Sequence, residues 1–267
     1  MSEYLKTLPV GYISEQGQRY SNEDTELDSE FSIEDTYFRI LGVFDGHGGS
    51  AVSNLLADNL VQYLRETIKH PDKLHDDILE ACEKLNLMIL DDSSADYAGS
   101  CAIFCLLRYN FSNGTFSLIT ANTGDSRAIL STKNGPIQLN REHKPYDPHE
   151  KEYIESHGGE VIGIRLNGSL AVSRAFGDKD LVPVGLRSTP EIVEFDLLPE
   201  NNFLVIACDG LWDVMSNEDV FSLVKYQLSK NVDVNEIAKI LVTEALNNGS
   251  MDNISVIIAD LHSLVKH

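Results

Sequence analysis

Positive charge is scarce in this sequence, and so are the usual marks of export or membrane residence. The 267 residues carry 21 Lys and Arg against 42 Asp and Glu, a formal net charge of −21 with a pI near 4.6. Nucleic acid and anionic membranes are poor partners for such a chain, because their phosphates would be repelled at long range. The four cysteines, at positions 82, 101, 105 and 208, form neither a disulfide framework nor a Cys-x-x-Cys pair. They are expected as buried free thiols in a reducing compartment. The start, Met1-Ser2-Glu3-Tyr4-Leu5-Lys6, has no signal-peptide core and no Gly at position 2 for myristoylation, and no apolar run is long enough to span a bilayer. A cytoplasmic chain, or one also found in the nucleus, is expected. No linker, low-complexity stretch or fixed-period repeat breaks the sequence. With 42% hydrophobic residues, residues 1–267 are expected to form a single, monomeric domain.

Two apolar runs end in the same dipeptide, Ile40-Leu41-Gly42-Val43-Phe44-Asp45-Gly46 and Phe203-Leu204-Val205-Ile206-Ala207-Cys208-Asp209-Gly210. Each reads as a buried strand stopped by a turn, with a carboxylate where the backbone leaves the core. Runs over residues 102–109 and 115–121 meet across Asn113-Gly114, a strong hairpin signal, and a strand over 127–131 follows the tight turn Thr123-Gly124-Asp125. Helical periodicity covers residues 51–68, 77–90, 217–228 and 234–246. Short turns cannot join parallel strands, so two mainly antiparallel sheets with helix pairs outside are expected, an α+β fold.

Asp45, Asp125, Asp209 and Asp252 all stand at expected strand edges. Hard oxygen ligands converging from strand ends suit Mg²⁺ or Mn²⁺, whereas the Cys and His residues lack zinc spacing. Singly, each Asp-Gly is an ordinary turn. Arg19 alone is a surface arginine, His47 a residue of a solvated turn, and Glu23-Asp24 part of an acidic face running through Glu26, Asp28 and Glu30. Asp252-Asn253 alone is a cap. Asp178 and Asp213 read as structural residues. Only the joint pattern favours catalysis.

Six segments in order resemble the type-2C metal-dependent protein serine/threonine phosphatases. They are Gly17-Gln18-Arg19-Tyr20-Ser21-Asn22-Glu23-Asp24, Val43-Phe44-Asp45-Gly46-His47-Gly48-Gly49, Ala121-Asn122-Thr123-Gly124-Asp125-Ser126-Arg127-Ala128, the stretch from Asn167-Gly168-Ser169 through Ser173-Arg174-Ala175-Phe176-Gly177-Asp178, Ala207-Cys208-Asp209-Gly210-Leu211-Trp212-Asp213-Val214, and Asp252-Asn253-Ile254-Ser255-Val256. The resemblance implies a four-layer αββα sandwich. It implies that Asp45 bridges two metal ions and Gly46 offers its backbone carbonyl to one of them, with Asp209 and Asp252 completing the ligands of the other metal. Glu23 would touch a metal through water, Asp24 would orient metal-bound waters, and Asp125 would share a third, weaker ion with Asp209. Arg19 would bind phosphate with its planar fork, and His47 would be the acid.

Two divalent ions can share and acidify a water aligned with phosphorus. A serine or threonine alkoxide leaves poorly, so a proton from His47 would speed the reaction by roughly a hundred to ten thousand fold. Arg19 and the metals would meet the charge on the phosphoryl oxygens, and no phosphoenzyme is needed. Phosphoproteins are the substrates this chemistry implies. The nearly neutral segment 141–187, with seven basic and eight acidic residues, is either the substrate-facing rim or an ordinary mixed surface. Cys101 and Glu142 stand where the family often has Thr and Asp. The alternatives are a partner-binding pseudophosphatase, which should have lost one of Arg19, Glu23, Asp45, His47, Asp209 and Asp252, and a two-metal phosphodiesterase, which the acidic balance disfavours.

Overall fold

The computed structural model describes residues 5–70, 73–112, 114–198 and 200–264. Residues 1–4 of the N-terminal stretch and Asn113 of the expected hairpin turn lie outside the described residues. Strands β1 (Val10–Glu15), β2 (Thr25–Ile33) and β3 (Thr36–His47) lead to helices α1 (Ala51–Thr67) and α2 (Leu74–Asp91). β4 (Gly99–Asn110), β5 (Thr115–Thr123), β6 (Arg127–Thr132) and β7 (Gly135–Gln138) precede α3 (Pro148–Ser156). The two-residue strands β8 (Val161–Ile162), β9 (Arg165–Leu166) and β10 (Phe176–Gly177) are followed by β11 (Glu191–Asp196) and β12 (Phe203–Ala207). One-turn α4 (Asp209–Trp212), then α5 (Asn217–Ser229) and α6 (Val234–Asn247), lead to β13 (Ile254–Asp260).

β1, β13, β12, β6 and β7 form one sheet in that order, and β11, β5, β4, β3 and β2 the other, with β10 pairing β4. Every strand pairing within the two sheets is antiparallel. The four layers follow from period-two alternation on strands that are buried on both faces. On β3, Phe38, Ile40 and Phe44 pack toward α1 and α2, while Tyr37, Leu41 and Val43 pack between the sheets. β12 repeats the rule: Leu204 and Ile206 join the core between the sheets, and Phe203, Val205 and Ala207 face α5 and α6. The helices answer with spaced apolar faces, Leu56, Leu60 and Leu64 on α1 and Ile237, Leu241 and Ala245 on α6. The expected αββα sandwich is thus present. All four cysteines are buried and free, and among the described residues no helix is long and apolar enough to cross a membrane.

Antiparallel register brings several strand ends to one end of the sandwich. Asp45 pairs with Cys101 and His47 with Gly99, Ala102 pairs with Thr123 beside the β5–β6 turn, and Ala207 lies opposite both Arg127 and Val256. Two expectations need correction. Asp45 does not end its strand, because β3 runs on through Gly46 to His47 against β4. Asp209-Gly210 is not a turn but the start of α4, with Cys208 as its N-cap residue.

The segment 141–187 is organised by one buried carboxylate on α3. Glu150, 1% exposed, accepts two hydrogen bonds from Arg174 at 2.9 and 2.5 Å, two from Arg187 at 3.1 and 3.2 Å, and one from the Ser173 hydroxyl at 3.0 Å. Burial alone would raise its pKa, but the guanidiniums of Arg174 and Arg187 outweigh that and hold it at about 2. Its stabilising contribution is therefore complete at neutral pH and is lost only as acid protonates it below the ordinary glutamate range. Removing one partner of a buried ion pair leaves an uncompensated charge. Glu150→Ala is expected to cost about 3 kcal/mol, chiefly through buried Arg174, read as a lowered urea midpoint. A change below about 0.5 kcal/mol, the ordinary range for surface substitutions, would remove Glu150 as the organiser of this segment.

Candidate metal centre

Asp45, Asp125 and Asp209 each place a carboxylate oxygen within 4.8 Å of the others. They line a cavity of about 400 Å³ together with Arg19, Gly46, His47 and Asp252. The glycines after Asp45 and Asp209 explain how chains meet there. A Cβ on Gly46 would lie 2.3 Å from the Glu23 carbonyl oxygen, and one on Gly210 would lie 1.9 Å from that of Asn253. Both Asp-Gly pairs are therefore close backbone crossings, which only glycine permits.

Burial and mutual repulsion dominate the electrostatics. Desolvation pushes the Asp45 carboxyl well above its ordinary range, with Asp209, Asp24, Asp125 and Asp252 adding repulsion. Asp209 rises to about 8, from burial first and then from Asp125, Asp213 and Asp252. Asp24, close behind, is pushed up to about 6 by burial, partly offset by Ser255 and Cys208. Asp125 is held by protein donors: the Lys144 ammonium at 2.6 Å on one oxygen and the Cys101 thiol at 3.3 Å on the other. A packed set of hard carboxylate oxygens that repel one another fits a divalent cation bound by oxygen, and neither sulfur nor imidazole dominates the donor set.

The other expected residues fall in distinct places. Arg19 donates from Nη2 to Asp252 Oδ2 at 2.6 Å at the cavity mouth, its side chain 58% exposed. Glu23 is turned to accept from the Ser21 hydroxyl and the Gly49 N–H, and it is absent from the cavity wall. His47 lines the cavity and pairs through Nε2 with Asp178 Oδ2 at 2.6 Å.

Four contributors escaped the sequence reading. Asp178 is 131 positions from His47, and no local pattern announces that pair. Lys144 lies in the stretch singled out only for its neighbour Glu142. Asp213 acts on Asp209 electrostatically from one helical turn on, a four-residue spacing that was legible. Asn253 is more than a cap: its amide donates to the Gln16 and Ser21 carbonyls and accepts from the Glu23 N–H, tying down the loop that carries Arg19. The segment 141–187 does supply one wall, through Arg165 and residues 169–172. Of its basic residues, Arg141, Arg174 and Arg187 face Glu150, while Arg165 stands on the cavity wall.

A family model described as Protein phosphatase 2C matches residues 9–254. The chain is similar to "Probable protein phosphatase 2C 27" of Arabidopsis thaliana, 34% identical over 270 residues covering 96% of this chain and 70% of that protein. Among solved structures it is similar to a phosphatase from a pathogenic strain of Toxoplasma gondii, with a TM-score of 0.83 and 25% identity over 97% of each chain. It is also similar to a C. elegans sex determining protein, with a TM-score of 0.82 and 28% identity over 97% of this chain and 68% of that one.

Unfolded, the Asp209 carboxyl ionises near 3.8, whereas folded it holds its proton to about 8. Between those values the native state binds more protons than the unfolded state, so stability falls as pH rises. His143, its pKa lowered to about 3 by burial and then by Arg174, opposes this slope only through the fraction protonated when unfolded, about half at pH 6.5 and about a tenth at pH 7.5. From pH 6.5 to 8 in chelator, the urea-derived stability is expected to drop, at no more than about 1.4 kcal/mol per unit for each such carboxyl. Millimolar Mg²⁺ or Mn²⁺ should flatten that slope. A chelated protein that gains stability over this window contradicts the repulsive cluster.

Proposed function

The chain belongs to the protein phosphatase 2C family of metal-dependent serine/threonine protein phosphatases, and from that premise we propose that its cavity hydrolyses phosphoserine and phosphothreonine monoesters by direct attack of water, without a phosphoenzyme. The convergence of Asp45, Asp125 and Asp209 within 4.8 Å, in the cavity that Arg19 and His47 line, supports this reading above any other observation.

Asp45, Asp209 and Asp252, with the Gly46 carbonyl, are read as the groups that hold two Mg²⁺ or Mn²⁺ ions, and Asp125 and Asp209 as those that hold a weaker third. When bound, such ions acidify a water and offset charge on the phosphoryl oxygens. Glu23 and Asp24 stand behind this shell and orient water there, which suits carboxyls set back from the cavity. Arg19 receives the phosphate. Its exposed pairing with Asp252 is of the kind worth at most about 1 kcal/mol, so its fork is readily redirected to two phosphoryl oxygens. His47 gives the leaving serine or threonine oxygen its proton. Phosphoproteins are the substrate class, and residues 1–267 are read as one monomeric domain for this chemistry.

The test is hydrolysis of a phosphothreonine peptide and an aryl phosphate with Mn²⁺, with Mg²⁺ and with EDTA. Turnover is expected with either ion and none with EDTA. Asp209→Asn should lose at least about a hundredfold in kcat/KM. Tight partner binding without turnover would favour a pseudophosphatase, and cleavage of a phosphodiester but no monoester would favour a phosphodiesterase; either would overturn the reading.

A further inference from the structure

Asp178 makes the closest contact to the His47 ring, and three independent features serve that contact. The first is the bond itself, His47 Nε2 to Asp178 Oδ2 at 2.6 Å, with the aspartate side chain 13% exposed and the imidazole 32%. The second lies across the ladder, where His47 pairs with Gly99. A Cβ on Gly99 would sit 2.0 Å from Asp178 Oδ2 and 2.4 Å from His47 Nε2, so the strand is left without a side chain where the two meet. The third is the backbone. Asp178 is a non-glycine residue in the left-handed region, at φ +45, following Gly177 at φ +76. It is held there by its own N–H on the Ala98 carbonyl at 2.9 Å, and by the Gly177 N–H on Asn86 Oδ1 at 3.0 Å. An uncommon backbone conformation kept by surrounding bonds, next to a cavity, is a device for aiming a side chain.

We infer that Asp178 is the positioning residue for His47, accepting the Nε2–H so that the ring is fixed in orientation and tautomer and Nδ1 serves the leaving oxygen. The inference rests on the reading of His47 as proton donor. In the step it supports, an oxygen–phosphorus bond forms from water and the bond from phosphorus to the serine or threonine oxygen breaks. The imidazolium passes its Nδ1 proton to that oxygen and becomes the neutral Nε2–H tautomer; the water's surplus proton goes to solvent, from which Nδ1 is reprotonated for the next turnover. Asp178 stays ionised throughout and keeps the Nε2–H, which is the role of a carboxylate that holds an imidazole in its working tautomer.

The inference predicts a leaving-group signature. A series of aryl phosphates, from p-nitrophenyl to phenyl, and a phosphothreonine peptide would be assayed with Mn²⁺ for the wild type, His47→Gln, Asp178→Asn and Gly99→Ala. If Asp178 aims the acid, Asp178→Asn loses about tenfold or more in kcat on the poor leaving groups, in the range for losing an orienting partner, and little on p-nitrophenyl phosphate. Gly99→Ala, which pushes the pair apart with both members intact, should shift the same way. A second readout needs no turnover: nitrogen-15 NMR of the metal-free protein, at a pH where the ring is neutral, should show His47 as the Nε2–H tautomer, and a mixture in Asp178→Asn. An equal loss on all substrates, or an unchanged tautomer, overturns the inference. If His47→Gln steepens the leaving-group dependence and Asp178→Asn does not, the positioning role fails while the acid stands. If His47→Gln itself leaves the dependence flat, the reading of His47 falls first.

Discussion

Carboxylates that repel one another are held together at one end of this sandwich, and much of the chain's architecture follows from the need to hold them. Asp45, Asp125 and Asp209 come from a strand, a turn and a helix start, each separated from the next by about eighty residues of sequence. Burial lifts Asp45 and Asp209 far above the ordinary carboxylate range, a cost that the protein must offset elsewhere. The offset is supplied by three apolar layers, one under each helix pair and one between the sheets. Glycines at 46 and 210 then let backbones cross closely enough for the acids to meet.

The fourfold layering came from the family resemblance, and its physical basis is that each central strand is buried on both faces. That produces continuous apolar runs such as 203–207, and such runs belong to sheets covered on both sides. Helix positions were readable from period, although α2 begins at Leu74, ahead of the expected residue 77. Of the site, the carboxylates were legible as strand-edge acids and the roles came from family resemblance. What escaped was long-range pairing. Nothing within a local window links Asp178 to His47, or Asn253 to the Gln16 and Ser21 carbonyls, because register between distant strands sets those contacts. Within the 141–187 segment, a charge count could not separate Arg174 and Arg187, which face Glu150 inside the fold, from Arg165, which lines the cavity.

Lys144 and Arg19 each bond an acid of the cavity, and burial separates what they can do. Lys144 meets Asp125 at 2.6 Å with its side chain 22% exposed and the aspartate only 3%. Burial would lower the lysine's pKa, yet Asp125, Asp209 and Asp213 outweigh it, so the ammonium stays charged and belongs to the scaffold of the site. Arg19 meets Asp252 at the same distance but with 58% and 33% exposure, where water screens the attraction. A cation that must exchange a carboxylate for an arriving phosphate has to be held weakly, and a planar fork on a loop anchored by Asn253 meets that need. The ammonium cannot leave without stranding the buried Asp125 charge, whereas the exposed guanidinium leaves only a half-exposed one. The same Coulomb attraction thus fixes one cation in place and leaves the other free to receive substrate.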